Sequence, residues 1–133
     1  MELPVSQKKT AIFIVDDDPS VRKALNRLIK VAGFNTKAFG SAREFIDSGQ
    51  YRDRDVLVLD VRMPGMSGLE LQKYLKDSGS DIPVIFITAH DDTRARNIAL
   101  EAGAIDVLKK PFGDQRLLDA IHRAIGSGSS SIN

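Results

Sequence analysis

The sequence has no cysteine and no tryptophan, and only six Phe and two Tyr. Without cysteine, disulfide frameworks, thiolate metal sites and thiol nucleophiles are all excluded. Neither sign of charge is in excess: 19 basic and 18 acidic residues leave a formal charge of +1. That balance speaks against direct nucleic-acid binding through a bulk positive field. Long apolar runs are also missing. The longest reach about five residues, against the roughly 18–20 that a membrane-spanning helix needs. The opening MELPVSQKKT lacks the apolar stretch of a secretory leader. A soluble, cytoplasmic protein with no membrane segment is expected. At 133 residues the chain suits one domain. A chain of this size buries roughly 65–70% of its unfolded surface and needs no disulfide or structural metal to do so.

What is present is an alternation. Short apolar runs occur at Ala11–Val15 (AIFIV), Thr36–Phe39 (TKAF), Val56–Leu59 (VLVL), Val84–Thr88 (VIFIT) and Ile105–Leu108 (IDVL). Three of them are nearly continuous in Val, Ile, Leu and Phe, the pattern of parallel strands covered on both faces. Runs of four or five residues bounded by Asp, Gly and Pro suit strands better than buried helix. The stretches between them read as helices. Val21, Ala24, Leu25, Leu28 and Ile29 recur at helical spacing. Asp18-Pro19 supplies an N-cap and a first helical residue, and Gly33 a stop. Ser41–Ser48 opens with a cap, with Glu44 three residues on. Leu69, Leu71, Tyr74 and Leu75 mark a third helix and Asp92–Ala102 a fourth. Leu117, Leu118, Ile121 and Ile125 mark a fifth, expected to end at Gly126. A βα unit repeated five times predicts a doubly wound α/β fold around a parallel sheet. The domain is expected over residues 10–126, after a flexible lead at 1–9. Residues 127–133, in the Gly/Ser-rich GSGSSSIN ending, are expected to be a tail or the start of a linker.

In an open α/β sheet, ligands bind at the carboxyl ends of the strands, near the point where strand order reverses. Asp16, Asp17 and Asp18 leave the first strand, and Asp60 the third. The fourth ends in Thr88, Ala89 and His90, and the fifth in Lys109, Lys110 and Pro111. Asp18 is read as the helix cap, and His90 and His122 as surface residues. Asp16, Asp17 and Asp60 would repel one another if the first and third strands are neighbours. A hard divalent cation with oxygen ligands removes that repulsion, and Mg²⁺ suits carboxylates, waters and phosphate oxygens. Lys110 can pair with Asp60 at rest and with a phosphoryl oxygen when one is present. Thr88 can donate to a second oxygen. With Asp60 as attacking nucleophile, the array can hold a phosphoryl group in transfer.

These residues carry a resemblance. IVDDDP at Ile14–Pro19, LDVRMPGMSG at Leu59–Gly68, FITAH at Phe86–His90 and LKKPF at Leu108–Phe112 together resemble the receiver domains of response regulators in two-component signalling, the CheY-like superfamily. The likeness covers about residues 10–126. It implies a five-stranded parallel sheet of flavodoxin-like (βα)5 topology with strand order 2-1-3-4-5. It implies that Asp60 takes a phosphoryl group from a histidine kinase or a phosphotransfer protein. Mg²⁺ would be held by the Asp17 and Asp60 side chains, the Arg62 backbone carbonyl, and Asp16 through a water. Thr88 and Lys110 match the family's switch threonine and its lysine. The Lys110–Pro111 bond is commonly cis in such domains, and X–Pro bonds alone allow that at modest cost. Met63–Gly68 would form the turn beside the acceptor. Arg62 and His90 stand where the family tunes aspartyl-phosphate lifetime.

The resemblance further implies a domain that catalyses its own phosphoryl transfer and slow autodephosphorylation without being a turnover enzyme. Its output would be partner binding, with transcription regulation as the setting. A homodimer through the fourth helix, fifth strand and fifth helix would form on phosphorylation. An output domain or effector does not lie in these residues. One departure is Val107, three residues before Lys110, where receivers often carry Tyr or Phe. A short β-branched side chain cannot swing between exposed and buried rotamers as an aromatic can. That leaves the Thr88 shift as the remaining part of the switch. Three other readings compete. A haloacid-dehalogenase-like phosphohydrolase also uses an Asp nucleophile, but Arg62 stands where its second Asp belongs. A flavodoxin-like cofactor binder would need a phosphate-cradling loop where Asp16–Asp18 would repel phosphate. The last is an unphosphorylated pseudo-receiver acting as a scaffold.

Overall fold

The computed structural model describes residues 10–129, so the expected lead at 1–9 and residues 130–133 lie outside them. The strands are β1 (Ala11–Val15), β2 (Asn35–Phe39), β3 (Val56–Asp60), β4 (Val84–Thr88) and β5 (Asp106–Lys109). The helices are α1 (Pro19–Val31), α2 (Ala42–Ser48), α3 (Gly68–Asp77), α4 (Thr93–Glu101) and α5 (Asp114–Ser129). All strand pairs are parallel, in the order β2-β1-β3-β4-β5. This is the topology that the resemblance implied.

The two-residue period of a strand divides each apolar run between two cores. Phe13, Val15, Leu57, Leu59 and Phe86 pack on one face with Phe45 of α2, Leu71 of α3 and Ala99 of α4. Ile12, Ile14, Val56, Val58, Ile85 and Ile87 pack on the other with Leu25 and Ile29 of α1 and Leu117 and Ile121 of α5. Every residue of β3 and β4 is buried, whereas β2 at the sheet edge is largely exposed. This exposure matches the two polar residues in the Thr36–Phe39 run, TKAF. Among the described residues, no helix is long and apolar enough to cross a membrane.

Local chemistry sets the helix starts. Asp18 caps α1, its side chain accepting from the Ser20 amide, with Pro19 in the first turn. Ser41 accepts from the Glu44 amide at the head of α2. The complete reciprocal box stands instead at Ser67 and Glu70, at the head of α3. The fifth helix departs from expectation at its carboxyl end. It begins at Asp114 and runs through Gly126 to Ser129. Leu117, Ala120, Ile121 and Ala124 are all fully buried along one stripe. Glycine in a helix interior costs about 1 kcal/mol relative to alanine. A helix already docked by that stripe absorbs the cost, so the helix continues past Gly126 to Ser129.

Candidate functional site

Strand order reverses between β2 and β3, on either side of β1, and the acids gather at that switch point. Asp16, directly after β1, is fully buried and Asp60, the last residue of β3, nearly so; Asp17 is exposed. One carboxylate oxygen from each of the three lies within 4.8 Å of the others. Asp16 is fixed from several sides. Its Oδ1 accepts from the Asp18 amide at 2.9 Å, and its carbonyl oxygen accepts from Arg22 Nη1 at 2.8 Å. Its own amide donates to the Phe39 carbonyl of β2 at 3.2 Å.

Lys110 follows β5, and its peptide bond to Pro111 is cis. Its Nζ donates to Asp16 Oδ2 at 3.2 Å and lies 3.9 Å from Asp60 Oδ2. The expected pairing with Asp60 is present, but the closer contact is with Asp16. Thr88, at the end of β4, is buried, and its Oγ1 accepts from the His90 amide at 3.1 Å. Asp60 itself accepts one backbone hydrogen bond, from the Arg62 amide to Oδ1 at 3.3 Å. Burial first, and the neighbouring Asp16 charge next, push the Asp60 carboxyl up to about 6, against the pull of Lys110 and the Arg62 amide. A group so placed has too few positive partners for its own ionised form.

The turn after β3 explains how that strand meets α3. Gly65 takes φ +74°, in the left-handed region, where glycine alone pays no steric penalty. Gly68 serves a different purpose. A Cβ there would collide with the Asp60 backbone carbonyl and stand 3.1 Å from the Phe86 ring. The Gly68 amide donates to the Val61 carbonyl at 2.9 Å. Helix α3 thus starts against the backbone of Asp60 itself.

The structure gathers Asp16, Asp17, Asp60 and Lys110 in one cluster and puts Thr88 on the same sheet edge. Arg62 sends its amide to Asp60 and its side chain away, to Asp92 at 3.1 Å. Lys109 lies apart, 3.8 Å from Asp91 on the surface. His90 and His122 are exposed, as expected. Arg96 of α4 is exposed and uses Nη1 to donate to the Val107 carbonyl of β5 at 2.8 Å. The Arg22 contact with Asp16 was missed in the sequence. Arg22 falls among the polar residues of an amphipathic helix, and nothing local marks it.

Oxygen ligands without histidine suit a hard divalent cation better than zinc. A trio of carboxylates this close, two of them buried, offers oxygen ligands of the kind that Mg²⁺ takes together with waters. Fold and site together define a class: a CheY-like α/β domain with an acidic, cation-compatible site at the carboxyl edge of its sheet. The chain belongs to the response regulator receiver domain family, whose pattern matches residues 12–122. Domains of this family are the phosphoacceptors of two-component systems, interact with histidine kinases and output domains, and typically use Mg²⁺ at the acidic site.

The chain is 47% identical to Nodulation protein W of Bradyrhizobium diazoefficiens over 113 residues, covering 85% of this chain and 50% of that protein. It is 41% identical to the response regulator protein TodT of Pseudomonas putida over 121 residues, covering 91% and 53%. Other relatives bear the name transcriptional regulatory protein. The crystal structure of FixJ-N superposes with a TM-score of 0.82 at 41% identity, covering 89% of this chain and 94% of that one. The chain spans about half the length of the curated relatives it matches.

Proposed function

We propose that Asp60 is the phosphoacceptor, receiving its phosphoryl group from the phosphohistidine of a histidine kinase or a phosphotransfer protein. One observation carries this reading: Asp60 ends a buried strand in a cluster of three carboxylates, with Lys110 3.9 Å away. An Asp60 oxygen attacks phosphorus, so a P–O bond forms as the donor's P–N bond breaks and the imidazole leaves. Asp17, Asp60 and the Arg62 carbonyl would ligate Mg²⁺, with Asp16 contributing through a water. Bound there, Mg²⁺ would neutralise charge on the phosphoryl oxygens. Lys110 turns its ammonium to one of those oxygens, and Thr88 its hydroxyl to another. Both groups are already on the sheet edge, so little reorganisation is needed. The carboxyl of Asp60 must be ionised to attack, and Lys110 favours that form.

The outcome is a switch. Added charge at Asp60 draws Thr88 and biases a surface formed by α4, β5 and α5. Ile98 and Leu100 of α4 are exposed apolar residues on this part of the fold. A homodimer through that surface on phosphorylation, and transcription regulation in a cytoplasmic setting, complete the reading. The test is intact mass after incubation with Mg²⁺ and acetyl phosphate. The wild-type chain is expected to gain one hydroxylamine-sensitive phosphoryl group and Asp60→Asn none. Equal labelling of the variant would overturn the assignment. Steady turnover of a generic aryl phosphate would instead favour the phosphohydrolase.

A further inference from the structure

The guanidinium of Arg62 is not used by the phosphoryl-transfer chemistry above. It is held on Asp92, Nη2 to Oδ2 at 3.1 Å. Asp92 serves two partners at once. It is the N-cap of α4, and its Oδ1 accepts from the Ala95 amide at 3.0 Å. The Ala95 amide first, and the Arg62 guanidinium after it, hold the Asp92 carboxyl below the usual carboxylate range. Like any ordinary carboxylate, Asp92 is an anion at neutral pH and able to compete for a cation. The main chain of Arg62 meanwhile donates to Asp60 Oδ1. One residue thus touches the acceptor with its backbone and the cap of α4 with its side chain.

We propose that Arg62 is a positioning residue shared between two anions: held on Asp92 in the unmodified protein, and drawn to the phosphoryl group once Asp60 carries one. This rests on the phosphoacceptor reading of Asp60. The physical reason is a contest between acceptors. A phosphoryl group offers more charge than a carboxylate and several oxygens in the geometry that a guanidinium matches. The Arg62–Asp92 pair is solvent-exposed, with side-chain exposures of 56% and 33%, so it is weak enough to yield. When Arg62 leaves, the cap of α4 loses its side-chain partner and keeps its backbone ones. The acceptor's charge state is thereby communicated to the start of α4 by a side chain, in addition to any movement of Thr88. Because the competition is an equilibrium, it works in both directions. Asp92 must weaken the binding of a phosphoryl group or its mimic at Asp60.

The experiment is a double-mutant cycle on beryllofluoride affinity in saturating Mg²⁺, followed by amide NMR. Asp92→Asn keeps a cap acceptor, since Asn caps as well as Asp, but removes the charge that holds Arg62. It is expected to tighten beryllofluoride binding about two- to fivefold, the range set by an exposed ion pair. Asp92→Ser, a second cap-competent variant, should act the same way. Arg62→Met should weaken binding, and Asp92→Asn on the Arg62→Met background should change nothing further. Beryllofluoride should also shift the Ala95 amide in the wild type, and less so in Arg62→Met. A residue that merely stabilised the loop would not make the effect of Asp92→Asn depend on Arg62. Unchanged or weaker binding in both Asp92 variants overturns the inference. So does equal tightening with and without Arg62. A wild-type chain that binds no beryllofluoride overturns the phosphoacceptor reading as well, which distinguishes the two failures.

Discussion

Strand β3 is bracketed by two buried aspartates, and they are opposites. Asp55, just before its amino end, is 4% exposed and Asp60, at its carboxyl end, is 7% exposed. Asp55 is well provided for: Oδ1 accepts from the Ala11 amide and Oδ2 from the Arg52 amide, both at 2.9 Å. It ties the starts of β1 and β3 together. Asp60 accepts a single amide at 3.3 Å and faces two further carboxylates. Two buried acids flanking one strand thus differ in whether their surroundings satisfy the charge. The satisfied acid holds the fold together. The unsatisfied acid remains reactive and open to a cation or a phosphoryl group. Burial of an acid therefore does not by itself mark function, whereas burial without enough partners does.

Breaking each acid separately should have effects of opposite sign. Asp55→Ala strands two amides at the sheet's amino edge, and hydrogen bonds to a charged acceptor are worth about 1.5–3 kcal/mol each. A loss of about 3 kcal/mol in urea unfolding is expected, with the acidic cluster intact. Asp60→Asn should instead stabilise the metal-free chain at pH 7, by on the order of 1–3 kcal/mol. The sign follows from a folded-state value of about 6 against an ordinary 3.8. The folded state holds its proton more tightly, so stability falls as pH rises from about 4 to about 6 and stays reduced above that. The gain from Asp60→Asn should therefore fade as pH drops through the same window. Unfolding curves at several pH values would check this, and a pH-independent gain would break the comparison. The smallest effect expected is that of added Mg²⁺. It should raise the melting temperature of the wild type by a few degrees at millimolar concentration, by mass action. Asp60→Asn should respond less, and Asp55→Ala should respond like the wild type from its lower starting point.

How much of this could be read in the chain depends on range. Strands β1 and β4 have the limits that their apolar runs predict, and β3 runs one residue further, to Asp60. Strand β5 is shifted one residue toward Lys109, and its first residue, Asp106, pairs with Arg123 at 2.8 Å. Asp16, Asp17, Asp60, Thr88 and Lys110 were legible because each sits at a strand terminus, where topology forces convergence. The pairings among them were not. Lys110 and Asp16 are 94 residues apart, and Arg62 and Asp92 are 30 apart. No local pattern says which carboxylate a cation chooses. The Ser67–Glu70 box has the right spacing in the sequence, but Ser67 lies inside the Met63–Gly68 stretch expected to form a turn. Helix α5 likewise extends past the stop that Gly126 predicts. Gly/Ser composition argues for a linker only where no docked helix is already carrying the chain forward.

The seat of α3 on the carbonyl of Asp60 has a consequence for inherited variation. Position 68 has no room for even one methyl group, although it bears no functional group of its own. A Gly68→Ala allele would spare every charged partner of the acceptor, yet push its main chain out of line. Genetic screens would score such an allele as a signalling defect, while its origin would be purely steric.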